Sequence, residues 1–150
     1  MVLALVCGCL AGLACAFRRL RTNFRVVRLN GSSMEPAYRD GDRLLVRLGA
    51  RPKAGQVVMA MSPTAWHPHY ADRREVPGGT EGFVVKRVLA VTGDPAPRGI
   101  RLNPHDVLDG RIASDRLVLV GDNSRVSFDS RKVGCYPADQ ILGVVLRALS

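Results

Sequence analysis

The residues best suited to chemistry begin with one lysine. Almost all the positive charge of this chain is arginine, and its only lysines are Lys53, Lys86 and Lys132. Lys86 lies inside the apolar run Phe83-Val84-Val85-Lys86-Arg87-Val88-Leu89-Ala90-Val91. Side chains of an extended strand alternate between two faces. Lys86 therefore shares a face with Val84, Val88 and Ala90, and Arg87 shares the other with Val85 and Leu89. One of the two cations must face apolar neighbours. Burial disfavours the charged amine and lowers its pKa. A neutral amine can take a proton from a hydroxyl. A candidate hydroxyl sits in Gly31-Ser32-Ser33-Met34-Glu35-Pro36, where glycine allows a tight turn and proline fixes the exit. A serine on such a turn can project its oxygen and offer its own amide to an oxyanion. A third cluster, Gly121-Asp122-Asn123-Ser124-Arg125-Val126-Ser127-Phe128-Asp129-Ser130-Arg131, packs turn formers, hydroxyls and opposite charges into one stretch.

Each cluster alone also has an ordinary reading. The lysine could snorkel to water from an edge strand. The serines could be a plain turn, and the third cluster a surface loop with local side-chain to backbone bonds. His67, His69 and His105 could in principle build a Ser/His/Asp triad. No nucleophile elbow of the G-x-S-x-G kind accompanies them. His67 and His69, spaced by Pro68, lack an evident third metal ligand. Cys7, Cys9, Cys15 and Cys135 show no zinc or disulfide spacing and read as small apolar fillers.

The elements that must hold these residues read as short strands. Phe24–Leu29, Leu44–Val46, Gln56–Met61, Phe83–Val91, Leu117–Val120 and Ile141–Leu146 are the candidates. Gly, Pro and Asp punctuate them, and residues 62–82 read as a long loop. The pattern predicts an all-β barrel or sandwich-like fold. Trp66 and Tyr70, amid basic residues, could rest in a membrane interface. Residues 1–17 are uncharged and apolar, followed by Arg18, Arg19 and Arg21. At about 1.5 Å per residue this run is at the short end for spanning a bilayer. It lacks the basic leading region of a signal peptide, so a retained membrane anchor is expected. The arginines after it sit poorly with the positive-inside rule if the rest of the chain is extracytoplasmic.

The net charge is +9 and the pI about 10.3. Such a chain is drawn to anionic surfaces. This supports a rival reading: a membrane-tethered, non-enzymatic β module that binds acidic lipid or nucleic acid. Aromatic content is only 5% and the arginines are dispersed, which is not a nucleic-acid stacking platform.

Taken together and in order, the three clusters resemble the bacterial type I signal peptidase family of Ser/Lys proteases. Its Ser-Met-x-Pro turn corresponds to Ser33-Met34-Glu35-Pro36. Its Lys-Arg-Val box ending in Gly-Asp corresponds to Lys86 through Asp94. Its long Gly-Asp-Asn-x-x-x-Ser-x-Asp-Ser-Arg-x-x-Gly signature is matched from Gly121 to Gly134. Ala37 replaces a usual Thr, and Ala90 and Thr92 stand where Gly and Pro are usual. Gly31 takes the position where some relatives have an oxyanion-assisting Ser.

The resemblance implies a mainly β fold: an antiparallel β-sheet catalytic core with a small appended β region and one N-terminal transmembrane helix. It implies an anchor at 1–17, a basic linker at 18–25 and a peptidase domain at 26–150. Ser33 is implied as nucleophile, with its own N–H in the oxyanion hole. Lys86 is implied as general base, Ser127 as the hydroxyl that aims it, and Met34 as a neighbour of the substrate pocket. Asp129 and Arg131 are implied as a structural pair. No metal, cofactor or nucleic acid is implied. The implied partners are membrane lipid and preproteins with small residues one and three positions before the cut, processed at the extracytoplasmic face of the cell membrane.

Overall fold

A computed structural model describes residues 23–70 and 82–149 of the chain. The apolar run 1–17, where the anchor is expected, lies outside the described residues. Among the described residues no helix is long and apolar enough to cross a membrane.

Among the described residues nine strands form: β1 (Phe24–Arg28), β2 (Arg43–Leu48), β3 (Val57–Met61), β4 (Phe83–Ala90), β5 (Val107–Leu108), β6 (Arg111–Ile112), β7 (Arg116–Val120), β8 (Tyr136–Pro137) and β9 (Ile141–Leu149). Seven make one antiparallel, curled sheet in the order β1-β2-β9-β3-β4-β7-β8. β5 and β6 form a separate two-stranded hairpin, the small appended β region. β9 runs to Leu149, three residues past the expected end at Leu146, because β2 supplies partners as far as Arg43↔Leu149. The stretch expected as a loop from residue 62 holds a short helix α1 (Pro63–Trp66) and a 3₁₀ turn (Pro68–Tyr70).

The central strands are buried on both faces, which explains their unbroken apolar sequences. On one face Val58, Ala60, Val84 and Val88 pack with Leu119, Phe128, Tyr136 and Val144. On the other, Val57, Met59 and Val85 pack with Val27, Leu44, Val46 and Val145. Each such side chain taken from water contributes roughly 1.5–3 kcal/mol before entropy is charged against it. Close strand approach also needs Gly143, since a Cβ there would lie 2.5 Å from the Arg47 carbonyl oxygen. Trp66 and Tyr70 do not form a free aromatic loop. Trp66 meets Tyr136 edge-on at 5.3 Å, and Tyr70 meets Phe128 at 5.0 Å. Both rings are partly buried against the core, so part of their apolar surface is spent inside the fold.

Candidate active site

Two sheet elements and two loops converge. Lys86 sits in the middle of β4, opposite Val58 of β3. Val84 and Val88, its neighbours on the same face, are both buried. Of the two adjacent cations, Lys86 is the one that turns inward, with 1% of its surface exposed. Arg87 turns to the other side. Its guanidinium grips both oxygens of Asp122, at 2.8 and 2.7 Å, and donates to the Gly55 carbonyl at 2.9 Å. The side-chain alternation thus sends one cation into the core and uses the next to clamp the loop that follows β7.

Ser33 lies on the β1–β2 connection. Asp40 closes this connection by accepting from the Gly31 N–H at 2.7 Å, and Leu29 bonds across to Asp42 and Gly41. Lys86 Nζ lies 2.9 Å from Ser33 Oγ. With the amine protonated it donates to the serine oxygen; with the amine neutral the hydroxyl can donate to nitrogen. Burial holds the Lys86 pKa down at about 8, against the opposing pull of Asp129 and with a smaller push from Arg131. Near neutral pH a useful fraction of this amine is therefore unprotonated, unlike an exposed lysine.

The Ser33 N–H donates to no protein acceptor among the described residues, whereas the Gly31 N–H is committed to Asp40. Ser33 itself is largely buried, with 9% of its surface exposed. An open cleft beside it is lined by Glu35, Pro36, Asp122, Asn123, Ser124 and Arg125. Met34 is wholly buried with Val27, Leu44, Val46 and Met59, and anchors the serine turn in the core beneath.

The loop after β7 braces this arrangement. Asn123 holds two successive carbonyls of the serine turn: its N–H bonds Ser33 O at 3.0 Å and its side-chain amide bonds Ser32 O at 3.2 Å. Asp129 is fully buried. It caps the short helix α2 (Ser130–Val133) by accepting from the Arg131 N–H, receives the Gly121 N–H at 2.8 Å, and pairs with the Arg131 guanidinium through both oxygens. Burial opposes the Asp129 charge, but these donors outweigh it and hold its carboxyl below the usual range. The Ser127 hydroxyl is buried beside this carboxylate, near enough to favour its ionised form yet outside hydrogen-bonding geometry.

Gly121 is the closest packing point of the site. A Cβ there would lie 2.2 Å from Ser127 Oγ and 2.6 Å from the Ser33 carbonyl oxygen. Gly121, Asp122 and Asn123 thus make contacts that their motif letters alone do not specify. The available signal was the break from an apolar strand into Gly-Asp-Asn, which marks a loop entering a crowded place.

Among the described residues no hydrogen bond joins a histidine to Ser33. His67 lies between Trp66 and Tyr70, with ring centres 5.5 and 4.8 Å away, and His105 is exposed in a 3₁₀ turn (Pro104–Asp106). Cys135 is a buried free thiol whose pKa burial pushes up to about 12, which makes it an inert filler.

A serine oxygen within reach of a buried, partly neutral amine, with an unused amide beside it, is equipped for acyl transfer. Compared with known families, residues 2–97 and 100–149 match the family described as signal peptidase, peptidase S26. No curated protein matches the chain.

Proposed function

The chain belongs to the signal peptidase (peptidase S26) family, and from that premise we propose that it is a membrane-bound serine endopeptidase that removes signal or leader peptides by a Ser/Lys mechanism. The observation that carries this reading is the 2.9 Å approach of Lys86 Nζ to Ser33 Oγ within the core. The neutral Lys86 amine takes the hydroxyl proton as Ser33 Oγ attacks the scissile carbonyl. The Ser33 N–H stabilises the oxyanion of the tetrahedral intermediate. The resulting ammonium gives its proton to the departing amine, leaving an acyl ester on Ser33. Water then hydrolyses the ester, with Lys86 again as base. The Ser127 hydroxyl, buried without a hydrogen-bond partner in this structure, would turn to Lys86 to aim the amine, and the Asp129–Arg131 pair holds the loop that carries Ser127. Met34 fixes the serine turn next to the substrate pocket.

Residues 1–17 serve as the single membrane anchor, 18–25 as a basic linker and 26–150 as the peptidase domain, on the extracytoplasmic face of the cell membrane. Substrates are preproteins or leader peptides with small side chains one and three residues before the cut. Self-cleaving repressors with a related Ser/Lys pair carry a DNA-reading domain where this chain has its apolar run, which favours the peptidase reading. The non-enzymatic module remains the rival, since it too accounts for the net charge. The test is co-expression with a preprotein carrying an Ala-x-Ala site. Wild type is expected to process it, and Ser33→Ala and Lys86→Ala are not. Processing that survives Lys86→Ala but is lost on replacing His67, His69 or His105 would replace this mechanism with a triad.

A further inference from the structure

The cleft beside Ser33 holds two charges that the Ser/Lys chemistry does not use. It measures about 460 Å³, and Glu35, Asp122, Asn123, Ser124 and Arg125 give it a polar lining. Ligand sites are commonly of this size. Asp122 is committed to Arg87 through two bonds of 2.8 and 2.7 Å. Asn123 is committed to the serine turn, at Ser33 O and Ser32 O. Glu35 and Arg125 are committed to nothing. Among the described residues neither side chain has a hydrogen bond or an ion pair, not even with the other. Glu35 is half-buried and Arg125 exposed. The backbone fixes both. The Glu35 N–H bonds Ser32 O at 3.2 Å within the serine turn, and the Ser127 N–H bonds Asn123 O at 3.1 Å to close the loop that carries Arg125. Asn123 stitches these two segments together, so opposite charges line one space next to the nucleophile without cancelling.

We infer that Glu35 and Arg125 form a subsite for the new amino terminus released by the cut, Glu35 taking its α-ammonium and Arg125 an acidic side chain on its second residue. The choice of ligand rests on the peptidase reading; the two free charges and their separation do not. The polar lining assigns the cleft to this side of the cut. Small apolar side chains before the cut gain nothing from carboxylate, amide, hydroxyl and guanidinium groups, whose desolvation only costs. The segment leaving Ser33 begins with an amine, and an α-amine of pKa about 7.7–8.0 is mostly a cation at neutral pH. Glu35, two positions from Ser33 on the same turn, is the uncommitted carboxylate of the cleft and meets that cation. An acidic side chain on the first residue would crowd against Glu35. The second residue lies about 3.3 Å further along an extended chain and points the other way, which carries its charge clear of Glu35. There the Arg125 guanidinium binds a carboxylate as a planar fork, whereas a lysine would meet its own sign of charge.

The test reads binding, so it does not depend on turnover. The full chain in uncharged detergent is titrated into the peptide Ala-Glu-Gly-Ser-Gly, labelled with a fluorophore at its C-terminus, and anisotropy is followed. The comparison peptides are Ala-Lys-Gly-Ser-Gly and the N-acetylated form of the first. Each change removes one of the two charge pairs and should weaken binding by up to about fivefold, a difference that fades at high salt. Arg125→Glu should reverse the order of the Glu and Lys peptides. Glu35→Gln should erase the penalty of acetylation while leaving the Glu peptide ahead of the Lys peptide. Each variant is read as a ratio between peptides, so a partial loss of folded protein lowers both signals alike and does not imitate a reversal. Cleavage of an uncharged peptide, measured separately, decides the peptidase reading. Equal binding of the three peptides by wild type, or a Glu preference that survives Arg125→Glu, overturns the inference whether or not cleavage is seen.

Discussion

Gly121→Ala is the most informative single change, because one methyl group is aimed at both halves of the site. The added Cβ would fall 2.6 Å from the Ser33 carbonyl oxygen and from Ser127 Cβ, and 2.2 Å from Ser127 Oγ. Ordinary contact begins near 3.4 Å, so the serine turn must retreat by about 0.8 Å and the Ser127 hydroxyl by about 1.2 Å. Neither has easy room. Ser127 is buried, and the Ser33 carbonyl is held by the Asn123 N–H at 3.0 Å. Overpacking of this kind costs about 1–3 kcal/mol of stability. Its effect on rate should be larger in proportion, because a misplacement of about 1 Å at reacting atoms can cost about 10²-fold. The expected result is a folded protein with a lowered Tm and kcat reduced about a hundredfold or more, with KM changed much less. Peptide cleavage under saturating substrate, alongside thermal unfolding, measures both. A Gly121→Ala protein with wild-type kcat would refute the argument that the β7 loop and the serine turn are in obligate contact.

Other perturbations separate stability from catalysis. A fall in the Lys86 pKa from 10.5 to about 8 corresponds to about 3 kcal/mol of destabilisation below pH 8. That cost fades as pH rises from 8 to 10.5, where the unfolded chain also loses its proton. Lys86→Met should therefore be inactive yet more stable at pH 7 by about 2 kcal/mol, after allowing about 1 for the lost Ser33 bond; urea unfolding checks the sign. Asp129→Asn replaces a fully buried carboxylate with an amide that cannot accept from both the Gly121 N–H and Arg131, and should cost about 1–3 kcal/mol in the same assay. Arg87→Gln breaks a half-exposed pair with Asp122 and should cost only about 1 kcal/mol, with cleavage largely kept.

How far the site could be read from sequence depended on the range of the interactions. Strand alternation in Val84-Val85-Lys86-Arg87-Val88 required one inward cation, and period-2 geometry is local enough to be visible in a string of letters. It did not say which cation, since both faces of β4 meet apolar residues; Val84 and Val88 bury Lys86, while Asp122 draws Arg87 outward. That pair is separated by 35 residues in the chain, and the Asn123 bond to Ser32 by 91, so neither could be inferred from neighbouring letters. The Gly121 contact is likewise a property of two loops meeting. The packing of Trp66 and Tyr70 is not visible in the letters of their own stretch, because their partners, Tyr136 and Phe128, come from the far end of the chain.

The account rests on a lysine that sheds its proton near neutrality because apolar side chains surround it. The pH dependence of kcat/KM for cleavage of a neutral peptide tests this most directly. Activity should climb with pH along a single limb of apparent pKa near 8 and level off above it. A limb set by an imidazole near pH 6.5, or a rise that continues to the pKa of an exposed lysine near 10.4, would contradict it.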